Sequence, residues 1–176
     1  MKKYQILIRL IKYLLFIGVL ILILNTVFSF FTINYSHSFP TGLYFNRNFE
    51  DIEQGKLYIF CPEYDEKMKF AEQNGFWGNI SKSCGKTPKY LKKALGLPFD
   101  KILITDDGVF VNNELIVNTK IILKNKAYNK NKEFILKSDE YFMLSDYNKH
   151  SYDSRYFGII KKYQVKKEVV PLIIFK

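Results

Sequence analysis

The longest apolar run of the sequence lies near its N-terminus. Residues 13–31 read YLLFIGVLILILNTVFSFF and contain no charged side chain. A helix of this length rises about 28 Å, close to the hydrocarbon thickness of a bilayer. The run is longer than the apolar core of a cleavable signal peptide, and it ends in phenylalanines rather than in small residues. The pattern therefore predicts an uncleaved transmembrane anchor over residues 13–31.

Beyond the anchor, short runs of β-branched and aromatic residues alternate with turn signals, which is typical of a mostly β domain. The predicted strands cover residues 42–46, 56–61, 101–105, 108–112, 114–117, 120–124, 133–137, 141–145 and 165–170. Residues 63–74 are rich in helix-forming side chains and place Met68 and Ala71 on one face, which predicts a short helix ended by Gly75. With 176 residues, the chain has room for one anchor and one domain.

The charges around the anchor predict its orientation. Four basic residues and no acid precede the apolar run: Lys2, Lys3, Arg9 and Lys12. The positive-inside rule then places residues 1–12 in the cytoplasm and residues 32–176 outside a bacterial cytoplasmic membrane, in the periplasm or beyond. Apart from these four, 23 basic residues stand against 17 acidic ones, an excess that could attract anionic lipid or nucleic acid but that could also simply keep the domain soluble. No zinc-finger or helix-turn-helix pattern accompanies it, so we expect the lipid bilayer, and not nucleic acid, as a partner.

The chain has two cysteines, Cys61 and Cys84. In an oxidising extracytoplasmic compartment such a pair is expected to form a disulfide, although two buried free thiols would also fit the sequence. A catalytic cysteine is a weaker interpretation, because neither has an activating histidine nearby in the sequence. Two cysteines alone make no metal site, and we expect neither a metal nor a cofactor.

Candidate chemistry lies in three segments: SHSFPTGLY at residues 36–44, YLKKALGLPFDKI at residues 90–102, and Ser145-Asp146 followed by SYDSRYFG at residues 151–158. In order and composition these segments resemble the substrate-binding, lysine and C-terminal boxes of the type I signal peptidase family. The resemblance covers nearly the whole chain. Phe39 and Ser145 stand where the family has Met and Gly, which is similar to the TraF-type peptidases of conjugative transfer systems. The two cysteines, between the serine and lysine boxes, also fit that branch.

The resemblance implies that Ser38 is the nucleophile and Lys92 the general base. A serine hydroxyl needs a base to remove its proton, and neither His37, adjacent to Ser38, nor His150, in a polar stretch, offers one convincingly. A lysine can serve if burial lowers its pKa. In an extended strand Lys92 shares a face with its apolar second neighbours, whereas Lys93 points to the other side.

The remaining boxes imply supporting residues. Ser36 matches a side chain that donates to the oxyanion beside the backbone N–H of the nucleophile, although it could simply end the juxtamembrane segment. Ser151 matches a serine that orients the base. Asp153 matches an acid with catalytic or supporting roles. In an extended segment Ser151, Asp153 and Arg155 would share one face, so a purely structural Asp153–Arg155 ion pair is the alternative.

These expectations combine into a membrane-anchored serine endopeptidase that matures an exported substrate at the membrane. The resemblance to pilin-maturing peptidases implies a conjugative pilin precursor, processed by hydrolysis or by cyclisation, with type IV secretion and mating-pair components as partners. A general type I signal peptidase that cleaves exported preproteins is one alternative. A non-catalytic bitopic scaffold of a secretion apparatus is another.

Overall fold

The computed structural model describes residues 2–77 and 82–175, and the fold below refers to these ranges. Its helices are α1 (Lys2–Ser29), α2 (Glu66–Gln73) and α3 (Ser154–Phe157). Its strands are β1 (Phe31–Asn34), β2 (Gly42–Arg47), β3 (Leu57–Phe60), β4 (Tyr90–Gly96), β5 (Lys101–Ile104), β6 (Val109–Val111), β7 (Glu114–Leu115), β8 (Phe134–Ile135), β9 (Glu140–Leu144), β10 (Ile160–Lys161) and β11 (Val165–Ile174).

The first helix has the length and composition of a membrane anchor. Within Tyr4–Ser29, the most apolar window of 18 residues has a mean hydropathy of 2.6, and none of that window is buried. The helix begins before the predicted apolar run and ends at Ser29. Phe31, which we included in the anchor, instead begins β1. The strands therefore start almost directly after the helix, while the orientation of the helix in a membrane stays a prediction.

The strands form two antiparallel sheets, which confirms the prediction of a mostly β fold. The larger sheet has the order β1-β2-β11-β3-β4-β9-β10, and the smaller has the order β7-β6-β5-β8. Strand β9, which lies between β4 and the edge strand β10, is buried on both faces. Tyr141 and Met143 face one hydrophobic cluster, while Phe142 and Leu144 face a second cluster shared with the smaller sheet. This two-sided burial holds β4 and β9 firmly beside each other.

Most predicted elements are present, but some predictions were wrong. Residues 120–124 form no strand and run into a 3₁₀ turn at Lys124–Lys126. The strands β1, β4 and β10 were absent from the predicted set. The first follows the anchor without a turn signal, the second contains two adjacent lysines that break an apolar pattern, and the third is only two residues long. The predicted short helix is confirmed as α2.

A disulfide joins Cys61, just after β3, to Cys84, and the two Cα atoms lie 5.7 Å apart. The structure therefore has the bonded alternative of the two considered for these cysteines. The bridge closes the loop that contains α2 and Trp77. Met68 and Ala71 of α2 are fully buried in the first hydrophobic cluster, as their spacing predicted. The loop is thus fixed both by the covalent bond and by apolar packing against the larger sheet.

Candidate active site

The turn that follows β1 carries Ser38, and the side chain of Asn34 organises this turn. Asn34 is 6% exposed. Its Nδ2 donates to three main-chain carbonyls, at 3.2 Å from Ser36 O, 3.1 Å from Phe39 O and 3.1 Å from Pro40 O. A buried amide is stabilised only when its polar atoms are paired, and here they are paired by curling the backbone around them. Ser38 lies, half-buried, at the top of this curl.

Lys92 meets Ser38 from the middle of β4. Only 2% of the lysine is exposed, and its Nζ lies 2.7 Å from Ser38 Oγ. The ring of Tyr90 is 5.3 Å from the same Nζ. None of the salt bridges within residues 2–77 and 82–175 includes Lys92. Burial lowers the pKa of Lys92 to about 8, although the charge of Asp153 acts in the opposite direction.

This contact has the geometry that a serine nucleophile and its base require. While Lys92 is charged, its ammonium group donates to Ser38 Oγ. Once the lysine has lost its proton, the lone pair of Nζ can accept the serine hydroxyl proton over the same 2.7 Å. Ser151 Oγ lies 3.2 Å from Ser38 Oγ and gives the nucleophile a second hydrogen-bond partner. Ser38, Lys92 and Ser151, which are far apart in the sequence, are therefore brought together.

Asp153 and Arg155 form a fully buried ion pair beside this centre. Arg155 Nη2 lies 2.7 Å from Asp153 Oδ2, and Arg155 Nε lies 2.8 Å from Asp153 Oδ1. The expected extended alternation is wrong here, because Asp153 caps the N-terminus of α3 and Arg155 lies within that helix. Burial alone would lower the pKa of Arg155, but Asp153 outweighs this effect and raises it.

Hydrogen bonds connect Asp153 to Ser38 through one intermediate residue, Ser145. Asp153 Oδ2 accepts a hydrogen bond from the backbone N–H of Ser145, at 3.1 Å. The hydroxyl of Ser145, in turn, donates to the main-chain oxygen of Ser38, at 2.6 Å. In the described part of the chain, no hydrogen bond joins Asp153 directly to Lys92 or to Ser38. The arrangement allows Asp153 to hold the site in place.

Ser36 and the two histidines also border the site, but their polar atoms are directed elsewhere. The Ser36 hydroxyl donates to Asn34 Oδ1 at 2.7 Å, so its proton is not free for an oxyanion in this structure. His37 and His150 are exposed, and both line the cleft described below. Across residues 2–77 and 82–175, neither imidazole makes a hydrogen bond to Ser38. The basic side chain that contacts the Ser38 hydroxyl is Lys92.

An open cleft of about 730 Å³ leads to these groups. Its walls carry several aromatic side chains, with Phe76 and Trp77 contributed by the disulfide loop and Tyr152 by the segment before α3. Its basic side chains are lysines and histidines, and no carboxylate lines it among residues 2–77 and 82–175. Among the described residues, no cluster of three or more His, Cys, Asp or Glu side chains could hold a metal ion. The cleft is large enough to receive an extended peptide segment beside Ser38.

Three polar residues that shape the site were given no role by sequence reasoning: Asn34, Ser145 and Asn148. Each acts through a hydrogen bond between its side chain and the main chain of the Ser38 turn. Only Ser145 had a signal in the sequence, because it replaces the glycine of the related box. Asn34 ends β1 and Asn148 lies in an irregular segment, and neither apolar periodicity nor a motif marks either residue.

Comparisons with known proteins identify the family of the chain. A family model described as signal peptidase, peptidase S26, matches residues 7–173. Plasmid transfer protein TraF of Escherichia coli is 30% identical over 147 residues, which cover 80% of this chain and 81% of that protein. The protein named probable signal peptidase I-2 of Synechocystis sp. is 29% identical over 112 residues, which cover 64% of this chain and 44% of that protein.

Among solved structures, signal peptidase I of Enterococcus faecalis matches with a TM-score of 0.38 and 19% identity, covering 70% of this chain and 100% of that chain. The family model, by contrast, extends over nearly the full length of the sequence and includes every residue of the site. The chain therefore belongs to the signal peptidase family, peptidase S26.

Proposed function

We propose that this protein is a membrane-anchored serine endopeptidase in which Ser38 is the nucleophile and Lys92 the general base. One observation carries the proposal: the Nζ of a lysine that is 2% exposed lies 2.7 Å from the hydroxyl of Ser38. Burial lowers the pKa of this lysine to about 8, so a useful fraction is neutral near physiological pH. Ser151, within hydrogen-bond distance of Ser38, orients the pair.

The reaction proceeds through an acyl-enzyme. Lys92 accepts the hydroxyl proton as Ser38 Oγ attacks the peptide carbonyl, and the tetrahedral intermediate then expels the amine, which takes that proton from Lys92. Water next attacks the Ser38 ester, loses a proton to Lys92, and releases the acid while Ser38 regains its proton. If the substrate's own N-terminal amine attacks the ester instead of water, the product is a circular peptide. Asp153 and Arg155 support these steps without exchanging protons.

The position of Ser38 favours a substrate presented at a membrane. Only a few residues separate the end of α1 at Ser29 from Ser38. With residues 1–12 in the cytoplasm, the domain would lie in the periplasm or outside, where exported proteins emerge. The plasmid transfer proteins align over about four-fifths of both chains. Their alignment favours a conjugative pilin precursor over a broad range of secreted preproteins, with mating-pair or type IV secretion components as partners.

Co-expression of the full chain with a candidate pilin precursor tests this function. Mass spectrometry of the pilin identifies the cleavage site and detects circular product together. Ser38→Ala should abolish processing, and Lys92→Met should reduce the rate by about 10³-fold or more, because the base is lost. Lys93→Met is the matched control: it removes the adjacent lysine, which pairs with Asp146 on the other face, and should process normally. Processing by Ser38→Ala at the wild-type rate would overturn the proposal.

A further inference from the structure

The two peptide bonds that flank Ser38 are held by side chains from one segment, Ser145–Asn148, which follows β9. Asn148 Nδ2 donates to the main-chain oxygen of His37 at 2.9 Å. The hydroxyl of Ser145 donates to the main-chain oxygen of Ser38 at 2.6 Å. The carbonyl before the nucleophile and the carbonyl after it are therefore both directed toward the same segment.

The hydrogen bond from Asn148 also determines where the N–H of Ser38 points. A trans peptide unit is planar, and its C=O and N–H groups point in opposite directions. Because the His37 carbonyl is held by Asn148, the Ser38 N–H points away from Asn148. Among the described residues this N–H donates no hydrogen bond, although both neighbouring carbonyls are paired. It is a fixed and unused donor on the nucleophilic residue itself.

Asn148 is rigid enough to hold this peptide unit. Its Oδ1 accepts a hydrogen bond from His150 N at 2.9 Å, so both ends of the amide are used. Its backbone N–H donates to Ser145 Oγ at 3.1 Å, and its backbone oxygen accepts from Ser151 N at 3.1 Å. The same asparagine thus connects the residue that holds the Ser38 carbonyl with the residue whose hydroxyl contacts Ser38 Oγ.

We infer that Asn148 is a positioning residue that fixes the peptide plane between His37 and Ser38 and aims the Ser38 N–H at the oxyanion of the reacting carbonyl. This role rests on the proposed function. A donor of this kind stabilises a transition state only when its direction is set before the reaction begins. The role suits this chain, because the Ser36 hydroxyl, the other candidate donor, is engaged with Asn34. Asn148 acts on the reaction through the backbone of Ser38.

Kinetics of Asn148→Asp test the inference on catalysis. The substitution preserves shape and the acceptor for His150 N, but it removes the donor to His37 O. We expect kcat at the high-pH plateau to fall about 10- to 100-fold, part of the loss seen when an oxyanion donor is removed, with KM nearly unchanged. Asn118→Asp is the matched control, because Asn118 Nδ2 donates to Asp146 O of the same segment from outside the site. The inference is wrong if Asn148→Asp keeps kcat within twofold of the wild type.

A second measurement tests the peptide orientation without relying on activity. The chain has two histidines, and each is followed by serine, at His37-Ser38 and His150-Ser151. Labelling histidine carbonyl carbons with ¹³C and serine nitrogens with ¹⁵N therefore yields two carbonyl–amide NMR signals from the full chain in micelles, which Ser38→Ala assigns. In Asn148→Asp the His37 carbonyl signal should shift, because its donor is lost, while the His150 signal should move much less.

Together, the kinetic and NMR measurements distinguish a failure of the inference from a failure of the proposed function. An unmoved His37 carbonyl signal in Asn148→Asp overturns the inference, whatever the enzyme cleaves. If the carbonyl shifts and Ser38→Ala is inactive but Asn148→Asp retains full kcat, only the inferred role in catalysis is wrong. If the wild type processes no substrate, the proposed function fails, and the NMR signals alone decide whether Asn148 holds the peptide plane.

Discussion

Two buried cations lie close together in this molecule, and they have opposite surroundings. Arg155 is fully buried and makes two hydrogen bonds to the carboxylate of Asp153. It also donates to a ring of main-chain oxygens, those of Asn118, Lys120, Lys149 and Ser145. Lys92 is 2% exposed, but its Nζ contacts a serine hydroxyl and an aromatic ring instead of a carboxylate.

The difference explains why one cation can be structural and the other can be a base. A buried charge that is surrounded by paired acceptors keeps its proton, so Arg155 stays charged at every relevant pH. A buried ammonium group without a contacting carboxylate is destabilised relative to the neutral amine, so its pKa falls. The contacting partners, rather than burial alone, therefore decide which of the two can exchange protons.

The largest stability effect is expected for Arg155→Met. This change leaves the Asp153 carboxylate buried without its partner and removes the donor from several main-chain oxygens. Breaking one side of a buried ion pair costs about 3–5 kcal/mol of unfolding free energy. Denaturant unfolding of the full chain in micelles, followed by the fluorescence of Trp77, measures it, because this sole tryptophan is buried in the β domain. Arg155→Lys keeps the charge but loses the planar fork, so its unfolding free energy should lie between those of the wild type and Arg155→Met. A loss below about 1 kcal/mol in Arg155→Met would contradict the structural role.

Removing the charge of Lys92 should have the opposite effect on the free energy of unfolding. The pKa of Lys92 falls from 10.5 to about 8, so protonated Lys92 destabilises the folded state by about 3 kcal/mol. Lys92→Met should therefore raise the free energy of unfolding at pH 7 by up to that amount, even though it abolishes activity. Lys93→Met removes a partly exposed ion pair with Asp146 and should change stability by less than about 1 kcal/mol.

The pH dependence of stability checks the cause of that gain. Below pH 8 both the folded and the unfolded lysine are charged, and the full penalty is present. Between pH 8 and 10.5 the folded lysine is neutral while the unfolded one still binds a proton, so wild-type stability rises relative to Lys92→Met. The advantage of the variant should then disappear as the pH approaches 10.5. A constant difference between the two proteins over this range would exclude the burial of a charge as the cause.

The sequence indicated the residues of this centre more readily than their arrangement in space. Apolar runs and turn signals were sufficient for the mostly β fold, and alternation along an extended segment placed Lys92 and Lys93 on opposite faces. The contact with Ser38, however, needs two segments 54 residues apart to meet. That meeting depends on the pairing of β4 with β3 and β9, and strand order cannot be read from local periodicity.

The supporting residues show more clearly where sequence reasoning stops. Asp153 and Arg155 were expected to alternate along an extended chain, yet a helix of four residues brings them together through a cap. So short a helix has no apolar period that could reveal it. Asn34 and Asn148 act by side-chain hydrogen bonds to the backbone of a turn. Such bonds depend on the final path of the chain, and an asparagine in a polar segment gives no sign of them.

The smallest of the expected effects, a tenfold change in rate for each pH unit, gives the most direct test of which group is the base. If neutral Lys92 accepts the Ser38 proton, kcat/KM should rise tenfold per pH unit up to an inflection near pH 8 and should be level above it. The rate at pH 7 would then be about one-tenth of its maximum. A histidine base would instead give an inflection near pH 6.5. Because His37 and His150 line the same cleft, the variant His37→Asn/His150→Asn is the control. This variant should keep the inflection near pH 8. If the inflection moved to a different pH or disappeared in this variant, the base would be an imidazole rather than the buried lysine.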